Sequence, residues 1–247
     1  MSDQIIGYYS TYENKLLNCL DRISLSMKSH VIARYGNEFA DNLQKDVHAE
    51  YKKLIPEIPF IKGMRAQFLN TFLIITAQEL AVYKAMKKHG KSASEAWELC
   101  HQTIKNQMQS FPIWKRWLMK HFMFSNIVKK IIASREKNCQ EGNFGEFKIE
   151  YLVGINGNFD IGANYHGCGN YNFAMKHGGA EFAPFICMSD IALSDALGWG
   201  LTRTQTLADG CDYCDFRFKK GSLTNISSKT PEVNKVISAI RDKENKA

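Results

Sequence analysis

The sequence predicts an α+β protein, with an N-terminal helical region packed on a small four-stranded antiparallel sheet domain ordered as hairpin, two helices, hairpin. Three observations carry this expectation. Only Gly7, Gly36, Gly63 and Gly90 precede residue 139, whereas the other thirteen of the 17 glycines follow it, so long helices give way to strands and tight turns. Apolar residues recur at helical spacing before that point and alternate with polar ones after it. The 247 residues, 45% hydrophobic and 23% charged, are enough for a sizeable core and are too apolar for intrinsic disorder. The expected divisions are a helical region at 1–138, an α+β domain at 139–228 and a C-terminal helix or tail at 229–247. The junction is Asn138-Cys139-Gln140-Glu141-Gly142-Asn143.

In order along the chain, Tyr12 to Ile32 places Leu16, Leu17, Leu20, Ile23 and Met27 on a helical period, with Gly36 beyond as a stop signal. Phe39 to Leu54 follows, ended by Pro56 and Pro59, and Gly63 to Lys88 is the most apolar helix, closing at Gly90. Ser92 and Glu95 form a capping-box pattern that opens a helix running to about Ser110. Pro112 introduces an aromatic, basic stretch from Trp114 to Phe124 that could lie on a membrane interface or form a lid over an apolar pocket, and that reads rather as a lid or as a core helix with its lysine ends reaching water. Phe147, Ile149 and Tyr151 then alternate with Lys148 and Glu150; Asn156-Gly157 turns the chain, and Phe159 to Tyr165 resumes the alternation. Asn170 to His177 and Phe182 to Leu197 read as helices, with Gly198 closing the second. Leu201 to Leu207 and Tyr213 to Lys219 make the last hairpin around Asp209-Gly210, and Thr230-Pro231-Glu232 starts a terminal helix.

Charge and cysteine usage narrow the function classes. Residues 1–138 carry 21 Lys and Arg against 12 Asp and Glu, and residues 139–247 carry 11 against 13, so the formal net charge of +7 belongs to the first part. A basic half can attract an anionic partner, but with no nucleic-acid-binding motif it reads as solvated helix faces, and no nucleic-acid partner is expected. The most apolar run, Phe68 to Tyr83, meets Gln78 and Glu79 before the roughly 20 residues a spanning helix requires, so no stable membrane insertion is expected. The first residues show no export pattern, and the expected location is cytoplasmic. Seven cysteines, an odd number in such a protein, argue for thiols or ligands rather than a disulfide framework.

There is no phosphate-loop pattern, no strand followed by Gly-x-Gly-x-x-Gly, no His-Glu-x-x-His and no Gly-x-Ser-x-Gly. What remains is a group of thiols, carboxylates and arginines in residues 165–219. The segment Gly200 to Phe218, Gly-Leu-Thr-Arg-Thr-Gln-Thr-Leu-Ala-Asp-Gly-Cys-Asp-Tyr-Cys-Asp-Phe-Arg-Phe, resembles the C-terminal signature of the L-2-amino-thiazoline-4-carboxylic acid hydrolases. Cys187-Met188-Ser189-Asp190 and Cys168 match that family's other two marks, and Tyr83 to Ala96 is similar to its helix-turn-helix. The resemblance implies a hydrolase acting on carbon–nitrogen bonds other than peptide bonds. It would open a small cyclic amidine or isothiourea carboxylate, such as 2-amino-thiazoline-4-carboxylate, by attack at the amidine carbon to give an N-carbamoyl amino acid such as N-carbamoyl-cysteine.

That chemistry needs a nucleophile, a proton carrier and a cation for the carboxylate. Cys187 lies near an expected helix start with Asp190 on the same side, and Cys168 follows His166 by two residues, placing a base beside a thiol. Arg203 and Arg217 on adjacent strands could clamp a carboxylate. The candidate catalytic residues are Cys168, Cys187, Asp190 and Cys214, and the candidate substrate-binding residues are His166, Arg203, Asp215 and Arg217. The bland readings stand beside these. Strand alternation puts Cys214 with Phe216 and Phe218 on a core face, Asp190 is a natural helix cap, and Asp215 with Arg217 can be a surface ion pair. No cofactor is expected; the alternative is a non-catalytic sensor domain that binds zinc through Cys168, Cys187, Cys211 and Cys214 or holds a small ligand. A small-molecule substrate is the expected partner, and homo-oligomerisation stays open.

Overall fold

The computed structural model describes residues 4–63, 66–137 and 142–245; Asn138 to Glu141, which include Cys139 and most of the expected junction, lie outside them. In chain order the elements are β1 (Gln4–Ile5), α1 (Glu13–Tyr35), α2 (Asn37–Leu54), β2 (Phe60–Ile61), α3 (Gln67–Lys88), α4 (Ala93–Ser110), α5 (Ile113–Met123) and α6 (Asn126–Lys137). They continue with β3 (Gly142–Phe144), β4 (Phe147–Val153), β5 (Ile161–Gly167), α7 (Gly169–Lys176), α8 (Ala183–Ile186), α9 (Asp190–Leu197), β6 (Leu201–Arg203), β7 (Cys214–Phe218), β8 (Asn225–Ile226) and α10 (Pro231–Asn245). Mixed helix and sheet make this an α+β protein.

The chain divides into two compact units interleaved in sequence. One comprises Met1–Thr103 and Gly169–Ile186, the other Ile104–Cys168 and Cys187–Ala247. In the first, α1 lies against α2 and α2 against α3, and their apolar stripes bury Tyr51, Leu73, Leu80 and Met86 completely. The expected capping box forms: Glu95 N–H donates to Ser92 Oγ (3.2 Å), and Ser92 N–H donates to Glu95 Oε2 (3.0 Å). The segment 169–186 belongs to this unit because its aromatics find partners there. Phe182 stacks on Tyr83 with ring centroids 4.7 Å apart, and Phe185 lies 6.2 Å from the buried Trp97.

The second unit is built on a sheet of order β3-β4-β5-β7-β6-β8. The four expected strands are its centre, but the sheet has six strands, not four: β3 extends one edge and β8 pairs parallel to β6 at the other. Neither edge strand was legible, being two or three residues long. Asn156 and Gly157, both at positive φ (56° and 75°), make the expected turn between β4 and β5. Pairing Tyr165 with Cys214, Ala163 with Phe216 and Leu201 with Phe218 places these residues, with Ile149, on one largely apolar face. Glu150, Asn164, His166, Asp215 and Arg217 take the other.

The expected helix Phe182 to Leu197 is broken into α8, a single tight turn at Cys187–Ser189, and α9. The Cys187 carbonyl accepts a hydrogen bond from the Arg203 guanidinium, which competes with the bond an unbroken helix would form there. Just before β6, Gly200 has φ 59°, and a Cβ there would lie 2.1 Å from the Lys219 carbonyl oxygen. Gly200→Ala should therefore cost about 3 kcal/mol in urea unfolding, combining left-handed strain with a backbone clash. A loss under about 1 kcal/mol would show that β6 tolerates displacement.

Candidate active site

Three short pieces of chain build the candidate site, all within the second unit. The β5–β7 register brings Tyr165 opposite Cys214, and Cys168 follows the end of β5. Because Thr202 faces Arg217 across β6 and β7, its neighbour Arg203 must point to the opposite face, the one carrying Cys214. The turn at Cys187–Ser189 and the first residue of α9 supply Cys187 and Asp190. The Cys187 thiol feels the charges of Cys214, Arg203, Cys168 and Asp190, and Cys214 feels Cys168, Arg203 and Asp190. Three sulfurs distant in sequence thus share one neighbourhood.

Arg203 is the hub. Its side chain is only 1% exposed; Nη1 donates to Asp190 Oδ2 at 2.6 Å, Nη2 donates to the Cys187 carbonyl, and the guanidinium lies 5.0 Å from the Phe216 ring centroid. Its Nε is buried without a hydrogen-bond partner among the described residues. Burial of this charge is tolerable because Asp190 compensates it. Asp190 is crowded by protein yet keeps 30% of its side-chain accessibility, so solvent still reaches its carboxylate. Cys168, Cys187 and Tyr165 are likewise half-buried, while Cys214 is 4% exposed.

The crowding sets protonation. Burial pushes Asp190 above the ordinary carboxylate value, and the Arg203 charge pulls the other way without cancelling it. Burial raises Cys187 well above the usual thiol value, and the neighbouring Cys214 adds to the rise. It also pushes Cys214 up to about 12 although the Leu207 N–H donates to its sulfur at 3.2 Å. Both are thiols at neutral pH, so any attack needs a base at the moment of reaction. Tyr165 is raised too, first by burial and then by Tyr151, Cys168, Asp190 and Cys214. Sequence reading passed over Tyr165, although strand alternation from Ala163 was the signal that could have found it.

Four candidates lie elsewhere. His166 Nε2 is 3.2 Å from Glu150 Oε2 on the polar sheet face, rather than beside a thiol. Arg217 occupies that face as well, donating to Asn164 Oδ1 (2.8 Å) and the Phe216 carbonyl (2.9 Å), so the two arginines do not form one clamp. The Asp215 carboxylate accepts from Thr204 N–H (2.9 Å), Thr204 Oγ1 (2.8 Å) and Gln205 N–H (2.8 Å), which fixes the chain leaving β6. Cys211 is hydrogen-bonded to the Lys229 amine. The six described cysteines form no disulfide, and among the described residues no group of three or more His, Cys, Asp and Glu is disposed to hold a metal ion.

The sheet, the broken helix and the buried arginine of this α+β chain bring Cys168, Cys187 and Cys214 into the electrostatic surroundings of the Asp190–Arg203 pair. The family model of the L-2-amino-thiazoline-4-carboxylic acid hydrolases matches residues 71–218, more than half of the chain, and the chain belongs to that family. The match takes in every member of the cluster and stops at the last residue of β7. No curated protein and no solved structure matches the chain.

Proposed function

We propose that this protein opens a small cyclic amidine or isothiourea bearing a carboxylate, of the 2-amino-thiazoline-4-carboxylate type, with Cys187 as nucleophile and Asp190 as proton carrier. The observation that supports the reading is the gathering of Cys168, Cys187 and Cys214 around the Asp190–Arg203 pair in a member of this family. Asp190 takes the Cys187 proton as the sulfur adds to the amidine carbon, and the proton passes to the ring nitrogen. The ring carbon–sulfur bond then breaks, and the departing sulfur takes a proton through Asp190. Water adds to the enzyme-bound carbon, the Cys187 sulfur leaves with a proton, and a urea remains. One water is consumed and no electrons are exchanged. An N-carbamoyl product requires this carbon–sulfur cleavage, whereas scission on the ring-nitrogen side, the carbon–nitrogen class, would give an S-carbamoyl product. Arg203, engaged on both Nη atoms, serves as a positioning residue, and the reaction as written needs no cofactor.

Purified protein incubated with 2-amino-thiazoline-4-carboxylate should release N-carbamoyl-cysteine, identified by mass. Iodoacetamide should abolish the release and a metal chelator should leave it intact. Release that survives full alkylation overturns thiol catalysis, and absence of product from any carboxylated cyclic isothiourea overturns the reading as a whole. The pH profile gives a separate check. Since the Asp190 pKa is raised, its base form appears only as pH climbs through a value above the ordinary 3.8. The rate should therefore rise with pH along an acid limb placed above that value, and Asp190→Asn should remove the limb along with most of the activity. A limb unchanged in a residually active Asp190→Asn enzyme assigns the proton transfer to another group.

A further inference from the structure

The expected core helix at Trp114 to Phe124 is not seen in α5, which has no buried residue; of that stretch Phe124, just past the helix end, is buried. Ile113, Trp114, Trp117, Leu118 and Phe122 are 79%, 67%, 58%, 52% and 63% exposed, and α6 continues the surface with Ile127 (67%) and Ile131 (52%). At 100° per residue, the five apolar positions of α5 share one half of the helix with His121, which stacks on Trp117, and that half is bordered by Lys115 on one side and by Lys120 and Arg116 on the other. This inverts the pattern of a water-soluble helix, whose apolar stripe faces inward. From Lys105 to Lys137 the chain carries eight lysines and arginines against Glu136 alone, a surplus equal to the whole chain's formal net charge of +7.

We infer that the α5–α6 surface docks on an anionic phospholipid membrane, with its aromatic row at the headgroup level and its cations on lipid phosphates. Tryptophan is suited to that boundary, since its ring is apolar and its indole N–H seeks a polar partner. Between α5 and α9 opens a recess of about 320 Å³ lined by Ile113, Arg116, Trp117, Lys120, Asp195 and Leu197, among others. Arg116 Nε is buried there without a hydrogen-bond partner among the described residues, while Asp195 is paired with Arg241. A headgroup phosphate supplies the acceptor that Arg116 lacks. A second copy of this chain is the weaker occupant. Two-fold packing sets the patch on itself, and residues 111–131 hold five lysines and arginines with no acidic residue to meet them. The docking is interfacial, because no described helix is long and apolar enough to cross a membrane. None of the recess-lining residues belongs to the thiol cluster, so this inference stands apart from the proposed reaction.

The test is sedimentation of the full chain with vesicles of phosphatidylcholine alone and of phosphatidylcholine with one-third phosphatidylglycerol, at low and high salt. Binding should require the anionic lipid, fall steeply with salt and shift tryptophan emission to the blue. Lys115→Ala with Lys130→Ala should weaken partitioning about 25-fold, at roughly fivefold per cation. Trp114→Ala with Trp117→Ala should weaken it about a hundredfold with an unchanged circular dichroism spectrum, since neither ring is buried. Failure to bind anionic vesicles at low salt overturns the inference. So does a concentration-dependent dimer that the Trp114→Ala/Trp117→Ala variant abolishes while vesicles capture nothing, or equal binding to neutral and anionic vesicles.

Discussion

Cys187→Ser should lower kcat for the proposed ring opening by about 10⁴-fold or more, whereas Cys211→Ser should leave it unchanged. The contrast follows from geometry. Cys187 sits at the mouth of the broken helix, half-buried, beside Asp190 and with its carbonyl held by Arg203. Cys211 is engaged by Lys229 and is not among the main electrostatic neighbours of Cys187 or Cys214. Serine is a far poorer nucleophile at such a site, because a hydroxyl is far less acidic than a thiol and burial there outweighs the pull of the Arg203 charge. Mass spectrometry of the wild-type protein quenched during turnover with excess substrate should show an adduct on the peptide containing Cys187. If the adduct appears on Cys168 and Cys187→Ser keeps more than a tenth of the activity, the nucleophile has been misassigned between the two half-buried thiols.

Asp190→Leu should destabilise the protein by about 3–5 kcal/mol, because it leaves the almost wholly buried Arg203 charge without its anion. Arg203→Met should cost less, about 1–2 kcal/mol, since the stranded carboxyl is still 30% accessible and can take up water or a proton. The double variant Asp190→Leu/Arg203→Met should recover a large part of the first loss, yet remain inactive without a proton carrier. Urea unfolding of the four proteins gives the cycle. If Asp190→Leu costs under about 1 kcal/mol, the guanidinium has another partner and the pair does not join α9 to β6.

Local signals were read correctly where a few residues decide the outcome. Ser92 and Glu95 announce α4 by themselves, Asn156-Gly157 demands left-handed backbone, and the alternation of Cys214, Phe216 and Phe218 forecasts their common face. The thiols were also marked, by resemblance rather than by pattern. What escaped depends on pairing between distant segments. Period-two alternation makes a one-residue register difference exchange the faces of a strand, and nothing in Leu201-Thr202-Arg203 reveals which residue will oppose Arg217. The proposed clamp therefore dissolved and Arg203 became a buried hub. No glycine or proline stands at the helix break Cys187–Ser189 itself, the nearest being Pro184 within α8, and the Arg203 guanidinium that takes the Cys187 carbonyl lies sixteen residues ahead.

The interleaving of the two units has a practical consequence for dissecting this protein. Cys168 is the last residue before the excursion 169–186 and Cys187 the first after it, so the chain departs and returns at neighbouring points. A fragment cut as a continuous stretch from residue 104 to the C-terminus would carry that excursion stripped of Tyr83 and Trp97, leaving Phe182 and Phe185 as adhesive, aggregation-prone surface. Excising residues 169–186 and rejoining the ends with a few glycines should instead yield an expressible minimal scaffold that retains every thiol of the cluster.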